Sequence, residues 1–174
     1  MESPATSKPP SRMAFISGHI DLTEASFLTH YQAAIDKAIR ENEHFILSNA
    51  GGADTLARQY LLAHGVHPSR ITIWNHTPPE RRKRDANATM RSIDESRTGE
   101  ATLDSYRKQG LNVKVINGWH TERDAAMTAA SDYDVLWVRP DEETKALYGE
   151  KYRPGRVSGT RKNKNRREEA ANRG

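Results

Sequence analysis

The chain has 174 residues, enough for a domain with a hydrophobic core, and its net charge of +4 suits an anionic ligand. It contains no cysteine, which excludes disulfides and thiolate chemistry. No apolar run approaches the roughly 20 residues of a membrane span, and the amino-terminal segment lacks the apolar region of a signal peptide. We therefore expect a soluble, cytoplasmic protein without membrane contact.

The two ends of the chain differ in composition from the middle. Residues 1–12 are rich in proline and serine and lack apolar periodicity, which predicts a disordered tail. Residues 161–174 contain alanine as their only apolar residue, and basic side chains crowd into the first half of this segment. We expect a basic helix or tail there, and a single domain over residues 13–160.

Apolar runs and helical patterns alternate from the start of this domain. A short apolar run over residues 13–17 predicts a buried strand. The helix that begins at Thr23-Glu24 has apolar residues at three- and four-residue spacing. A second strand is predicted over residues 44–48, and a second helix then ends at Gly65.

The same alternation continues to the end of the domain, with one interruption. Residues 77–100 are charged and have few apolar anchors, so either an excursion or a helical insertion fits them. The remaining strands are predicted over residues 71–74, 113–116 and 133–138, with helices over 101–109 and 122–131. Such alternation predicts an α/β fold: a single Rossmann-like domain with a doubly wound, mostly parallel, five-stranded sheet.

Two adjacent glycines and an aspartate join the second strand to its helix. Gly51 and Gly52 permit positive φ and let backbone N–H groups approach a ligand closely. The helix start that follows favours phosphate. Asp54 can either cap the helix or accept hydrogen bonds from ribose hydroxyls. The alternative is a plain strand-to-helix turn.

A similar loop follows the first strand. Ser17 and Gly18 place a glycine and a small polar group at the carboxyl end of that strand, beside the second loop if the two strands are neighbours. His19 can reach the same cleft, although a histidine in a surface loop is the simpler interpretation.

Two later stretches add groups that suit phosphate. Arg123 shares a helix face with Met127, which we expect in the core, and offers a fixed cation; a surface ion pair with Glu122 or Asp124 is the alternative. Before the basic segment, hydroxyl and N–H groups are offered by Ser158, Gly159 and Thr160. An ordinary helix cap competes with that second interpretation.

Other chemistries find little support in the sequence. The histidines show no paired ligand spacing, so no metal site is predicted, and we expect no cofactor. A Gly-x-Ser-x-Gly elbow for a serine nucleophile is also absent from the sequence.

In this order along the chain, these stretches resemble the SLOG superfamily, which includes the LONELY GUY-type nucleoside phosphoribohydrolases and the DNA-processing protein A fold. "SGHIDLT" resembles the first-strand glycine loop, and "NAGGADTLA" is similar to the family's Gly-Gly-Ala-x-Gly-x-Asp loop, two residues shorter. "HTERDAAM" resembles His-Glu-Arg-Lys-x-x-Met with one residue inserted. "SGT" resembles part of Pro-Gly-Gly-x-Gly-Thr-x-x-Glu.

The resemblance implies a phosphate and ribose site at the carboxyl edge of the sheet. In the hydrolases of the family, the arginine and the final glutamate of these motifs carry N-glycosidic cleavage. Arg123 matches the arginine, but Asn163 stands where the glutamate is expected. The resemblance therefore supports binding of a nucleotide or another phosphorylated nucleoside more directly than it supports catalysis.

Three functions remain open from the sequence. The first is a phosphoribohydrolase-like enzyme in which the carboxylate of Asp54 stabilises positive charge on the sugar and works with Arg123. Asp21 and Glu24 are weaker candidates for that carboxylate. The second is a nucleotide sensor without catalysis. The third is a module with weak nucleic-acid contact through the basic carboxyl-terminal segment. We also expect a homo-oligomer, because apolar helix faces must be covered and proteins of this kind commonly dimerise.

Overall fold

The computed structural model describes residues 11–78 and 102–174. The strands are β1 (Met13–Ile16), β2 (His44–Ser48), β3 (Ile71–Thr77), β4 (Asn112–Asn117) and β5 (Tyr133–Val135). The helices are α1 (Glu24–Arg40), α2 (Ala53–Ala63), α3 (102–108), α4 (His120–Ala129), α5 (Asp141–Tyr148) and α6 (Gly159–Ala171). Short 3₁₀ helices cover Pro68–Arg70 and Gly149–Lys151. The predicted tail lies almost wholly outside the described residues, as does the segment 79–101.

The strands form one five-stranded sheet in the order β4-β3-β2-β1-β5. Every neighbouring pair in it is parallel. The chain moves outward from β1 to β4 and then returns to place β5 on the other side of β1. The predicted α/β, Rossmann-like fold is confirmed. The reversal of direction between β1 and β5 is the point where folds of this type leave a crevice at the carboxyl ends of the strands.

Alternating residues of the strands cover the two faces of the sheet. On one face, the larger core includes Phe27, Tyr31 and Ile35 of α1 and Leu61 of α2. On the other face, a smaller cluster joins residues of β1, β2 and β3 to Met127 of α4, which is fully buried as predicted. Helices therefore lie on both faces, as a doubly wound sheet requires.

Several boundaries differ from the predicted ones. β5 ends at Val135 rather than at 138, because the backbone N–H of Trp137 donates to the Tyr31 hydroxyl at 3.1 Å instead of to a strand. α4 begins at His120, since the Glu122 carboxylate accepts from the backbone N–H of Trp119 and caps the helix. α5 was not predicted, although acidic residues at its start are a usual signal for a helix N-terminus.

The basic carboxyl-terminal segment forms α6, which packs against the sheet. Arg167 of α6 pairs with Asp134 of β5 at 2.8 Å and also donates to the carbonyl and hydroxyl groups of Ser131. Part of the charge of this segment is thus used inside the domain. Among the described helices, none combines the length and apolar character needed to cross a bilayer.

Candidate functional site

A cleft of about 660 Å³ opens at the carboxyl edge of the sheet. Its walls come from the loop after β1, the end of β2, the first turns of α2 and α4, the region around α5, and the start of α6. Most of the predicted site residues line it: Ser17, Gly18, Asp54, Arg123, Ser158, Gly159 and Thr160. The parallel topology explains this, because it brings the ends of distant segments to one edge.

The loop after β1 forms one wall of the cleft, and α1 supports it. The Tyr31 hydroxyl donates to the carbonyl of Ser17 at 3.0 Å. A Cβ atom on Gly18 would lie 2.2 Å from that hydroxyl and 2.5 Å from the Cβ of Ala53. Glycine is required at residue 18 because side chains of α1 and α2 contact the loop on one side. The other side of the loop faces the cleft.

Gly51 and Gly52 do not line the cleft. Gly52 has φ of +63°, and a Cβ atom there would lie 2.2 Å from the carbonyl oxygen of His19. The backbone N–H of Ala53 donates to that same carbonyl at 3.1 Å. The close backbone approach that the glycines permit is therefore to the loop after β1, so Gly52 positions a wall of the cleft from outside it. Gly51 is exposed.

Asp54 is buried at the floor of the cleft, with 3% of its surface exposed. Its carboxylate accepts from the backbone N–H of Ser48 at 2.7 Å, and so binds the end of β2 rather than the start of its own helix. Burial raises the pKa of Asp54 to about 6, although the Ser48 hydrogen bonds and the charge of Arg123 act to lower that pKa. A carboxyl group in this position changes protonation near neutral pH.

The pH dependence of stability tests this assignment. The pKa of Asp54 is higher in the folded chain than in the unfolded chain, so its protonated carboxyl group stabilises the fold. This stabilisation is complete below the ordinary pKa of 3.8 and is lost as pH rises through about 6. Relative to Asp54→Asn, whose amide oxygen can still accept from Ser48, the wild-type free energy of unfolding should fall by about 2–3 kcal/mol between pH 4 and pH 7. Urea denaturation at a series of pH values between 4 and 7 measures this fall in the free energy of unfolding.

Asp104→Asn is the control, because Asp104 lies in an exposed ion pair, and it should show no such difference from wild type. Parallel curves for wild type and Asp54→Asn would contradict the raised pKa.

Arg123 lies in the wall of the cleft, with 12% of its side chain exposed. Its guanidinium pairs with Asp124 at 2.8 Å. Asp124 is one of the two acidic residues that the sequence analysis named as ion-pair partners. Another of its nitrogens lies 3.5 Å from Nδ1 of His76, whose pKa is lowered by burial and then by the Arg123 charge. The ion pair is thus part of a partly buried cluster, and it holds the cation at the cleft.

The start of α6 forms the opposite wall. The hydroxyl of Ser158 accepts from the backbone N–H of Arg161 at 3.2 Å, so it forms the helix cap that was the alternative to phosphate binding. Thr160 lines the cleft with 4% of its surface exposed. The backbone N–H groups at a helix start have no partner within the helix. This wall therefore offers unused donors to the cleft.

Asn163 connects this wall to the loop after β1. Its side-chain nitrogen donates to the Ser17 hydroxyl at 3.3 Å, and its oxygen accepts from Arg166 at 2.7 Å. Asn163 is 4% exposed and lines the cleft. Its amide is thus engaged on both sides and spans two walls of the site.

Sequence reasoning missed the polar contacts that close the cleft near α5. His19 accepts a hydrogen bond from the backbone N–H of Arg139 at 3.0 Å, and burial lowers the pKa of that histidine. Asp21 pairs with Arg139 at 2.9 Å and accepts from the Tyr148 hydroxyl at 2.6 Å. The pairing of β5 with β1 brings these segments together, and no local sequence signal indicates that pairing.

Among the described residues, no group of three or more histidine, aspartate or glutamate side chains is arranged to hold a metal ion. Comparisons of the chain with protein-family models, with curated proteins and with solved structures find no match.

Proposed function

We propose that this chain is a SLOG-type protein that binds a nucleotide in the cleft, with the phosphate at the start of α6. The observation that carries the proposal is the position of Thr160 at the start of α6: the residue is 4% exposed and lines the cleft together with Arg123, so its hydroxyl is a donor there. A phosphate oxygen is a strong acceptor, so it would satisfy this hydroxyl and the free N–H groups of the helix start.

The charge of the cleft supports an anionic ligand. Two of its acidic side chains are ion-paired, Asp21 with Arg139 and Asp124 with Arg123, whereas Asp141 accepts from the neutral Tyr152 hydroxyl and keeps its charge. Several basic side chains of the cleft have no acidic partner among residues 11–78 and 102–174: Lys151, Arg153, Arg156 and Arg161. The cleft thus carries a net excess of unpaired positive charge, which attracts phosphate.

The position of Asn163 favours binding without turnover. It occupies the place where the resemblance expects a glutamate, and its neutral amide cannot stabilise positive charge on a sugar as a carboxylate would. Its hydrogen bonds to Ser17 and from Arg166 also leave it in a structural role.

Cleavage of an N-glycosidic bond is the second candidate function, and Asp54 favours it. The carboxyl group lies in the cleft, near enough to Arg123 for that charge to lower its pKa, and the net pKa of about 6 leaves much of it ionised at neutral pH. An ionised carboxylate beside the sugar would stabilise the positive charge that develops during cleavage.

Calorimetry and product analysis separate these functions. We expect AMP, GMP, CMP or UMP to bind at one site per chain, with an affinity that falls as salt is raised. Chromatography of the same mixtures should show no free base. Release of base that Asp54→Asn abolishes, while binding persists, would establish the enzyme instead. If none of the four nucleotides binds and a single-stranded RNA oligomer does, the basic surface is a nucleic-acid interface and the proposal is wrong.

A further inference from the structure

A second cavity, of about 510 Å³, adjoins the cleft between the starts of α4 and α6. Ser158 and Gly159 line both spaces, and so does Asn163. A ligand group at the start of α6 therefore lies at the boundary of the two spaces and can extend from one into the other.

One face of α6 supplies the basic wall of this cavity. Gly159, Lys162 and Arg166 lie three and four residues apart, so they occupy a single face of the helix. Opposite them, the first turn of α4 contributes His120 and Thr121. Thr160 lies off this face and lines only the larger cleft. The first turn of α6 thus presents different groups to two adjacent spaces.

The charge of this cavity is strongly positive. Lys162 and Arg166 line this cavity and not the cleft, Arg156 lines both, and none of the three has an acidic partner among the described residues. The one acidic residue in its wall, Asp124, is paired with Arg123 at 2.8 Å. Arg166 is held in place because it donates to the side-chain oxygen of Asn163. Three cations without counter-charges around this half-open space favour an anion there.

We propose that this second cavity binds a second phosphoryl group, so that the preferred ligand is a nucleoside diphosphate rather than a monophosphate. One phosphoryl group lies at Thr160 and the start of α6, and the next one lies between Lys162 and Arg166. The nucleoside part of this inference rests on the proposed function, whereas the paired phosphate sites rest on the cations of the second cavity.

The test is calorimetry of phosphate, pyrophosphate, AMP and ADP with the wild-type chain and Lys162→Ala. For a partly exposed charged contact we expect ADP to bind the wild type about tenfold more tightly than AMP. Lys162→Ala should weaken ADP and pyrophosphate binding about three- to tenfold and leave AMP binding unchanged. Lys164→Ala is the matched control, because Lys164 is on the same helix, pairs with Glu168 at 2.9 Å and lines neither space.

The outcomes separate this inference from the proposed function. If ADP binds no more tightly than AMP, or if Lys162→Ala and Lys164→Ala weaken ADP binding equally, the second phosphate site is wrong while nucleotide binding stands. If neither nucleotide binds but pyrophosphate binds more tightly than phosphate and depends on Lys162, the paired site stands and the proposed function fails. If pyrophosphate binds no more tightly than phosphate and neither nucleotide binds, both are overturned. Equal thermal unfolding of the variants and wild type checks that the fold is intact.

Discussion

Replacing Gly52 by alanine is expected to lower the free energy of unfolding by about 3–5 kcal/mol. The backbone at residue 52 has φ of +63°, and an added Cβ atom would lie 2.2 Å from the carbonyl oxygen of His19 and 2.5 Å from that of Ile20. These are backbone atoms, so no side-chain rotation can relieve the overlap. The loop after β1 or the start of α2 must move, and either movement disturbs the cleft. Urea denaturation measures the loss of stability.

Gly65→Ala is the matched control for Gly52→Ala. Gly65 has a similar φ of +76°, but an added Cβ atom would meet no heavy atom within 4 Å. Gly65→Ala should therefore lower the free energy of unfolding only by the conformational penalty of a positive φ, about 1–2 kcal/mol. Equal losses for the two variants would mean that the contact between the two loops contributes nothing beyond backbone strain. Gly52 would then not be a residue that positions the loop after β1.

Replacing Arg123 by alanine is expected to weaken nucleotide binding by about 1–3 kcal/mol, roughly fivefold to 150-fold in Kd. The side chain is largely buried, and its pairing with Asp124 holds it in the cleft wall before any ligand arrives. A phosphate would therefore gain a fixed cation without the entropic cost of ordering it. Calorimetry of AMP with the wild type and the variant measures the change.

Arg107→Ala is the control for Arg123→Ala. Arg107 makes a comparable ion pair with Asp104 at 2.8 Å, but it is exposed on α3 and does not line the cleft. Its removal should leave AMP binding unchanged. Removing Arg123 also takes away a charge that lowers the pKa of Asp54, so the pH-dependent loss of stability should move to higher pH. Unchanged AMP binding by Arg123→Ala would show that the phosphate lies elsewhere.

Much of the fold could be predicted because its signals are local. β2 has the predicted bounds, His44–Ser48, since its apolar run is short and is followed by glycine-rich sequence. The cap of α1 at Thr23 and the cap of α6 at Ser158 follow the usual preference for hydroxyl side chains at helix starts. The ends of the elements were predicted less accurately. β5 ends earlier than predicted because the Tyr31 hydroxyl of α1 accepts a hydrogen bond that a strand would otherwise use.

For the candidate site, the sequence indicated which loops meet but not what each side chain does there. Gly52 needs to be glycine because the loop after β1 lies against it, and that partner is a distant segment. Asp54 has the raised pKa because the surrounding core removes it from water. Asn163 contacts Ser17 across 146 residues of sequence, so no local pattern indicates the pair.

By itself, the sequence determined the alternation of strands and helices, because apolar spacing and helix caps act over a few residues. The order of the strands and the placement of α6 over the cleft were decided only in the tertiary structure. The return of the chain to β5 beside β1 brings His19 to Arg139, and the packing of α6 aligns Thr160 and Lys162 with two adjacent spaces. Such contacts depend on burial and charge contributed by distant segments, so they exist only once the sheet has formed.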